Sequence, residues 1–346
     1  METLKFYIKR FWFLFPLIII SLFLFIVGVI RTDKAIILKG DTVVFTSVVN
    51  INSDNIETGS FSTIYVKNME KSTLLQNFIA SKRSDLETYT MSTSVSHLND
   101  LETYKAGKIQ YNSSIGYALV LAYNEASKED SSIKLEYKFV GYDVTYYGPN
   151  SKLRIGDRLI GYYSSILDTT YKVSGDGEEF RSFIKNKDTE EGDYYIFIRD
   201  NKEFNVEINS DNQFQAYGIY ECSQINSNPT YTVSSNMIGG PSGGLLQALS
   251  IYNQLVKEDL THGLKIAGTG TITPEGVVGI IGGIKEKIPT AYDDKIDVFF
   301  VAKGNYEEAS IAYDMLPSKR MKLVEIETFY DALEYLKEGY KNDFGY

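Results

Sequence analysis

The spacing of apolar and polar positions divides the chain into one apolar run and two differently patterned bodies. Phe11 to Ile30 is twenty residues without a charge, the length a helix needs to cross a bilayer core. Phe61–Lys67 alternates as a strand does. Residues 70–127 carry mostly helical spacing, most regular from Tyr111 to Ala126. From Ile133 the period becomes two, through Leu135, Tyr137 and Phe139, and a strand-rich block follows. It contains Tyr142–Thr145, Leu153–Ile160, a short helix near Glu178–Lys185, and strands Tyr194–Arg199 and Phe204–Ile208 around the turn signal Asp200-Asn201-Lys202. Residues 216–223 and 230–235 read as further strands, and Leu245–Leu255 as a helix. Val298–Ala302, Leu323–Ile326 and Phe329–Leu336 then read as strand, strand and helix, an α/β succession.

Composition narrows the function classes. With 43% hydrophobic and 23% charged residues the 346-residue chain is globular, long enough for two domains and an anchor. A net charge of −10 speaks against nucleic acid as a partner. Lys5, Lys9 and Arg10 precede the apolar run and favour an inside N-terminus, although Arg31 and Lys34 follow it. The run exceeds the roughly 7–15 apolar residues of a signal peptide. No small-x-small site stands at Val27–Arg31, so the reading is a retained anchor at 11–30 behind a cytoplasmic head at 1–10. Abundant Tyr and Phe beside a single Trp, with much Ile, Asn and Lys, suggest an AT-rich bacterial coding sequence. Cys222 is the only cysteine, which excludes an intramolecular disulfide and a cysteine-based zinc cluster. It reads as a small apolar residue in a strand.

Two glycine-rich strings carry candidate chemistry. Gly240-Pro241-Ser242-Gly243-Gly244 places a serine in a turn before a helix. Gly282-Gly283-Ile284-Lys285-Glu286-Lys287 places lysines at the start of another. A serine hydroxyl needs a base, and a lysine becomes one when burial lowers its pKa. Taken singly, Ser242 is an ordinary helix N-cap and the lysines a solvated helix face. The serine string also fits the Gly-x-Ser-x-Gly elbow of α/β-hydrolases, but His262 follows it too closely for the intervening fold. It is similar to Gly-Asp-Ser-Gly-Gly of chymotrypsin-like proteases, where a preceding histidine would be His97. There Pro241 replaces the aspartate and His97 lacks the expected surroundings. Gly276, Gly279, Gly282 and Gly283 lack dinucleotide-loop spacing and read as turns.

Residues 236–303 resemble the proteolytic domain of Lon-type serine peptidases. The resemblance runs through the serine string, Ile266-Ala267-Gly268-Thr269-Gly270-Thr271-Ile272, Gly276-Val277-Val278-Gly279, the lysine string and Val298-Phe299-Phe300-Val301-Ala302, in the family's order. It implies Ser242 as nucleophile, Lys287 rather than Lys285 as its base, and Thr269 as the residue orienting the lysine. Backbone N–H groups around Gly240, Ser242 and Gly243 would serve the oxyanion. Two positions depart from the family: Gly243 stands where alanine is usual, and Pro289 where helix formers are usual. Phe61–Lys67 resembles the family's first strand, and Ser113–Val120 its early helix. Residues 57–130 and 214–346 are thus expected to form one split peptidase domain.

The block at 135–212 resembles a PDZ domain through Leu-x-x-Gly-Asp-x-Leu at Leu153–Leu159, its helix and its closing hairpin. The resemblance implies peptide binding by sheet addition, near Leu153, Ile155 and Gly156. The expected fold is therefore an α/β (α+β) Lon-type peptidase domain with an inserted PDZ-like domain and one transmembrane helix. The expected function is an ATP-independent, membrane-anchored Ser–Lys endopeptidase with its C-terminal domains outside a bacterial cell membrane. It would act on protein or peptide substrates and need no metal, organic cofactor or nucleotide, since no Gly-x-x-x-x-Gly-Lys-Ser/Thr string occurs. It could assemble as an oligomer. The alternative is a non-catalytic anchored PDZ adaptor in which Pro289 has displaced the lysine.

Overall fold

A computed structural model describes residues 10–83, 86–91, 97–174, 177–186, 188–234 and 239–344. The chain divides into two units: Met1–Lys39 with Val66–Ser96, and Gly40–Tyr65 with His97–Tyr346.

The smaller unit joins segments distant in sequence. Its sheet places Lys34–Leu38 between Lys67–Met69 and Glu87–Thr90, both antiparallel to it. Ala35, Ile36 and Ile37 are buried beneath. The strands Lys67–Met69 and Glu87–Thr90 therefore do not belong with the rest of the expected 57–130 segment; ladder hydrogen bonds to Lys34–Leu38 place them in the smaller unit. Residues 70–127 are not one helical region either. A short helix at Leu74–Ala80, closed by a Thr73–Gln76 capping box, and a strand precede the long helix Asp100–Glu129.

The apolar run forms a helix over Leu14–Val29 and buries none of its side chains. Its start lies later than the expected Phe11. Pro16 has no N–H and its ring crowds the carbonyl four residues back, so Pro16 fits the first turn of a helix but not its interior. Sixteen residues at 1.5 Å each span about 24 Å, less than the roughly 30 Å apolar core of a bilayer. Among the described residues, no helix is long and apolar enough to cross a membrane.

The larger unit is built on a five-stranded sheet. Lys322–Ile326, Val298–Ala302, Lys265–Gly268 and Ser60–Ile64 run parallel in that order, and Thr42–Val44 adds an antiparallel edge. A parallel sheet must be covered on both faces, and its strands read as continuous apolar runs. Val298-Phe299-Phe300-Val301-Ala302 is such a run, with every residue buried. Successive side chains go to opposite faces. Phe61, Ile266, Val298 and Phe300 join helices Asp100–Glu129 and Gly244–Leu255 in one core. Ile64, Ala267, Phe299 and Val301 join helices Ile284–Asp293 and Tyr306–Asp314 in the other.

The strand-rich block forms a second sheet, ordered Lys202–Glu207, Tyr194–Arg199, Arg158–Ser164, Tyr137–Tyr147, Phe214–Cys222, with Thr169–Lys172 paired to Arg158–Ser164. Val144, Leu153, Leu159, Tyr162, Phe180, Phe197 and Val206 make its separate core. The expected boundary at 212 cuts this sheet. Phe214–Cys222 pairs along its whole length with Tyr137–Tyr147, so the block ends after Cys222. Below, Phe139 and Tyr220 pack on Val120 of the long helix, which ties the block to the body built on the five-stranded sheet.

Phe300 is fully buried in the core that supports helix Gly244–Leu255. Phe300→Ala should destabilise the chain by about 3–5 kcal/mol in urea unfolding. Ile311→Ala, at a half-exposed position, should change it by less than about 0.5 kcal/mol.

Candidate active site

The turn before helix Gly244–Leu255 is docked on the strand end that follows Lys265–Gly268. The Gly270 N–H donates to the Ser242 carbonyl at 2.9 Å, and the Leu245 N–H to the Gly270 carbonyl at 3.2 Å. The Thr269 N–H in turn reaches the Phe300 carbonyl, so the parallel sheet holds the platform. Gly240 has φ +85°, a conformation that side chains resist. Its N–H donates to the Gly107 carbonyl at 2.9 Å. That removes Gly240 from the expected oxyanion donors. Among the described residues, the N–H groups of Ser242 and Gly243 have no acceptor.

Gly243, not Ser242, is the helix N-cap, which leaves the serine hydroxyl free for other work. A Cβ at Gly243 would lie 3.0 Å from both Phe45 Cζ and Thr63 Oγ1. This chain thus fills with neighbouring side chains the space that the family's usual alanine would occupy. The turn is not loosened by its glycine, since the neighbours close on it.

Lys287 lies in the second turn of helix Ile284–Asp293, which starts from Gly283 at φ +72°. Its side chain is 1% exposed. Nζ donates to Ser242 Oγ at 3.2 Å and to Thr269 Oγ1 at 3.1 Å. Thr269 Oγ1 donates to the Ser242 carbonyl at 3.2 Å, so one hydroxyl positions both residues. Burial pushes the Lys287 pKa down to about 8, because an apolar setting disfavours the ammonium form. Pro289 is inside the same helix, where it deletes the hydrogen bond to the Lys285 carbonyl. Lys285 is on the exposed side, its Nζ 3.9 Å from Glu308. The irregularity therefore falls away from Lys287.

The remaining sequence candidates are elsewhere. The His262 ring stacks on Tyr340 at 3.9 Å, with Nε2 2.8 Å from the Leu336 carbonyl. His97 packs edge-on against Tyr146 and Tyr147. Burial pushes the Cys222 thiol up to about 12, which keeps it protonated. Leu153 is a core residue of the strand-rich block and offers no surface to a peptide. The Gly156 N–H is taken by the Val144 carbonyl, and Ile155 is partly exposed beside it. Among the described residues, no group of three or more His, Cys, Asp or Glu is placed to hold a metal ion.

One supporting pair escaped the sequence reading. Ser114 Oγ donates to Gln247 Oε1 at 3.0 Å and reaches the Pro241 carbonyl at 3.4 Å. It pins the serine turn to the long helix. The available signal was polar residues set within two mostly apolar helical runs, since buried polar groups require partners.

Residues 235–337 match the Lon protease (S16) C-terminal proteolytic domain, which supports the class of serine peptidase. The chain is similar to the Lon protease of Mesomycoplasma hyopneumoniae, 42% identical over 66 residues, 19% of this chain and 7% of that protein. It is also similar to the Lon proteases of Campylobacter concisus and Clostridioides difficile. Both are 33% identical, over 28% and 30% of this chain and 12% and 13% of theirs. The similarity thus spans about an eighth or less of these relatives' lengths.

The buried amine carries a cost that its removal should expose. In the unfolded chain Lys287 titrates near the ordinary value of about 10.4. Between pH 8 and that value the unfolded chain binds more protons, so the penalty is full below pH 8 and fades as pH rises. Lys287→Met, of similar volume, should therefore stabilise the protein at pH 7, on the order of 1–3 kcal/mol. The gain should shrink by pH 10 in thermal unfolding.

Proposed function

We propose that this chain is an ATP-independent serine endopeptidase in which Ser242 is the nucleophile and Lys287 its general base. The observation that carries the reading is the buried Lys287 amine, its pKa lowered by burial, at hydrogen-bonding distance from Ser242 Oγ. The neutral amine takes the Ser242 proton as Oγ attacks the peptide carbonyl carbon. The developing oxyanion meets the N–H groups of Ser242 and Gly243, at the positive end of helix Gly244–Leu255. Collapse breaks the C–N bond, and Lys287 returns the proton to the leaving amine. Water then attacks the acyl-enzyme, again through Lys287. The adaptor alternative requires the lysine turned away from the serine, and the 3.2 Å approach speaks against it.

The strand-rich block, read as PDZ-like, presents the substrate. Its support is an antiparallel sheet with its own core and one helix, packed on the long helix of the peptidase core. The uncharged run Phe11–Ile30, helical and exposed over Leu14–Val29, is read as a membrane anchor, with the few residues on either side of that helix completing the span and the C-terminal domains outside the cell membrane. Resistance of the full chain to carbonate extraction from membranes tests this part. Release into the soluble fraction would refute it.

Cleavage of an unstructured fluorogenic peptide by the purified full chain tests the chemistry, with and without ATP. Ser242→Ala and Lys287→Met should each abolish it, while Lys285→Met keeps activity within a few-fold. The pairing is wrong if the Lys285 variant is the inactive one. The His97→Ala, His262→Ala double variant should also stay within a few-fold, whereas a triad would lose several orders of magnitude.

The pH profile follows from the same amine. Because the free base is the reactive form, kcat/KM should rise with pH and level off above about 8. A fall in rate across pH 7–9 would contradict a lysine base.

A further inference from the structure

A cavity of about 640 Å³ opens between helix Glu178–Asn186, the edge strand Phe214–Cys222 and the turn at residues 273–275. Its walls are largely apolar: Tyr117, Tyr142, Leu159, Ile184, Tyr195 and Phe214. One cation stands among them. The Arg181 guanidinium lies 5.5 Å from the Phe139 ring centre and 5.6 Å from that of Tyr220. These aromatic faces hold it in place.

The hydrogen bonding of that guanidinium is incomplete. Nη2 faces Glu275 at 3.5 Å, long for an ion pair, and the Glu275 side chain is 62% exposed. Nη1 is buried and has no hydrogen-bond partner among the described residues. Arginine pairs most strongly with a carboxylate that bridges two nitrogens. Glu275 reaches from the rim and engages one. A carboxylate entering along the groove would meet Nη2 in its place, and Glu275 could swing into water.

The strand edge beside it is available over a short length. At Gly218 the edge is occupied: the N–H donates to Tyr117 Oη at 2.8 Å, and the carbonyl accepts from Ser113 Oγ at 2.7 Å. Phe214 and Ala216, before it, line the cavity. Space for a few residues of extended chain thus lies next to one under-satisfied arginine.

The geometry points to a substrate class: the groove takes an extended segment carrying an acidic side chain, which replaces Glu275 on Arg181. The inference rests on the reading of the strand-rich block as the substrate-presenting module, and it names what that module selects. Glu275 is then an internal competitor for Arg181 that an entering carboxylate displaces. It stands in the turn five residues beyond Gly270, whose N–H holds the Ser242 carbonyl.

Binding is measured separately from cleavage, on the full-chain Ser242→Ala form, by fluorescence anisotropy. The probe is a fluorescein-labelled, C-terminally amidated peptide with two glutamates between apolar residues, compared with its glutamine counterpart. The glutamate peptide should bind at least about tenfold more tightly, in a salt-sensitive way. Arg181→Gln should remove that preference and leave glutamine-peptide binding unchanged, while Arg181→Lys retains part of it. Glu275→Gln should tighten glutamate-peptide binding several-fold. Equal binding of the two peptides, no binding of either, or a preference that survives Arg181→Gln overturns the proposal. So does binding that requires a free C-terminal carboxylate. Failure of the Ser–Lys chemistry would appear instead as a wild-type chain that binds the glutamate peptide but cleaves no peptide.

Discussion

The desolvation of one amine organises the larger unit. Lys287 is held where water cannot solvate its charge, so the amine is partly deprotonated near neutral pH. Such a group is stable only if its surroundings are rigid enough to keep water out and polar enough to give it partners. Thr269 and Ser242 are those partners. The backbone bonds from Gly270, Leu245 and Thr269 fix both against the parallel sheet. The stability given up by burying a lysine is drawn from the two apolar cores on either face of that sheet.

The parallel sheet makes this arrangement possible. Thr269 leaves the end of its central strand, while Ser242 and Lys287 enter helices on opposite faces. Side chains from both layers can meet only at the end of the strands between them, which is where ligand sites form in open α/β sheets. Pro289 removes one hydrogen bond of its helix, and the turn it affects is that of the exposed Lys285. Gly243 is tolerated because Phe45 and Thr63 already fill the space beside it.

The strand-rich block answers a different constraint. Its long strands Tyr137–Tyr147 and Phe214–Cys222 run from an independent core down to the long helix. A module joined through continuous strands keeps its groove in register with the turn that carries Glu275. A linker would not, and Arg181 could not then meet a residue from the peptidase core.

Much of this was legible in the residues, because local rules wrote it. The all-apolar Val298–Ala302 could only be a strand covered on both faces. The glycine-bounded serine and lysine strings marked turns opening helices. The period-two block after Ile133 marked a separate sheet. The pairing of the serine with the second lysine came from family resemblance, since spacing alone left Lys285 open. What the residues could not state depends on contacts between distant segments. The pairing of Lys67–Met69 and Glu87–Thr90 with Lys34–Leu38, the extension of the second sheet through Cys222, the loss of the Gly240 N–H to Gly107 and the Ser114–Gln247 pair are all such contacts. So is the burial that lowers the Lys287 pKa: a lysine's identity is written in the chain, but its charge is decided by how much water the folded neighbours leave around it.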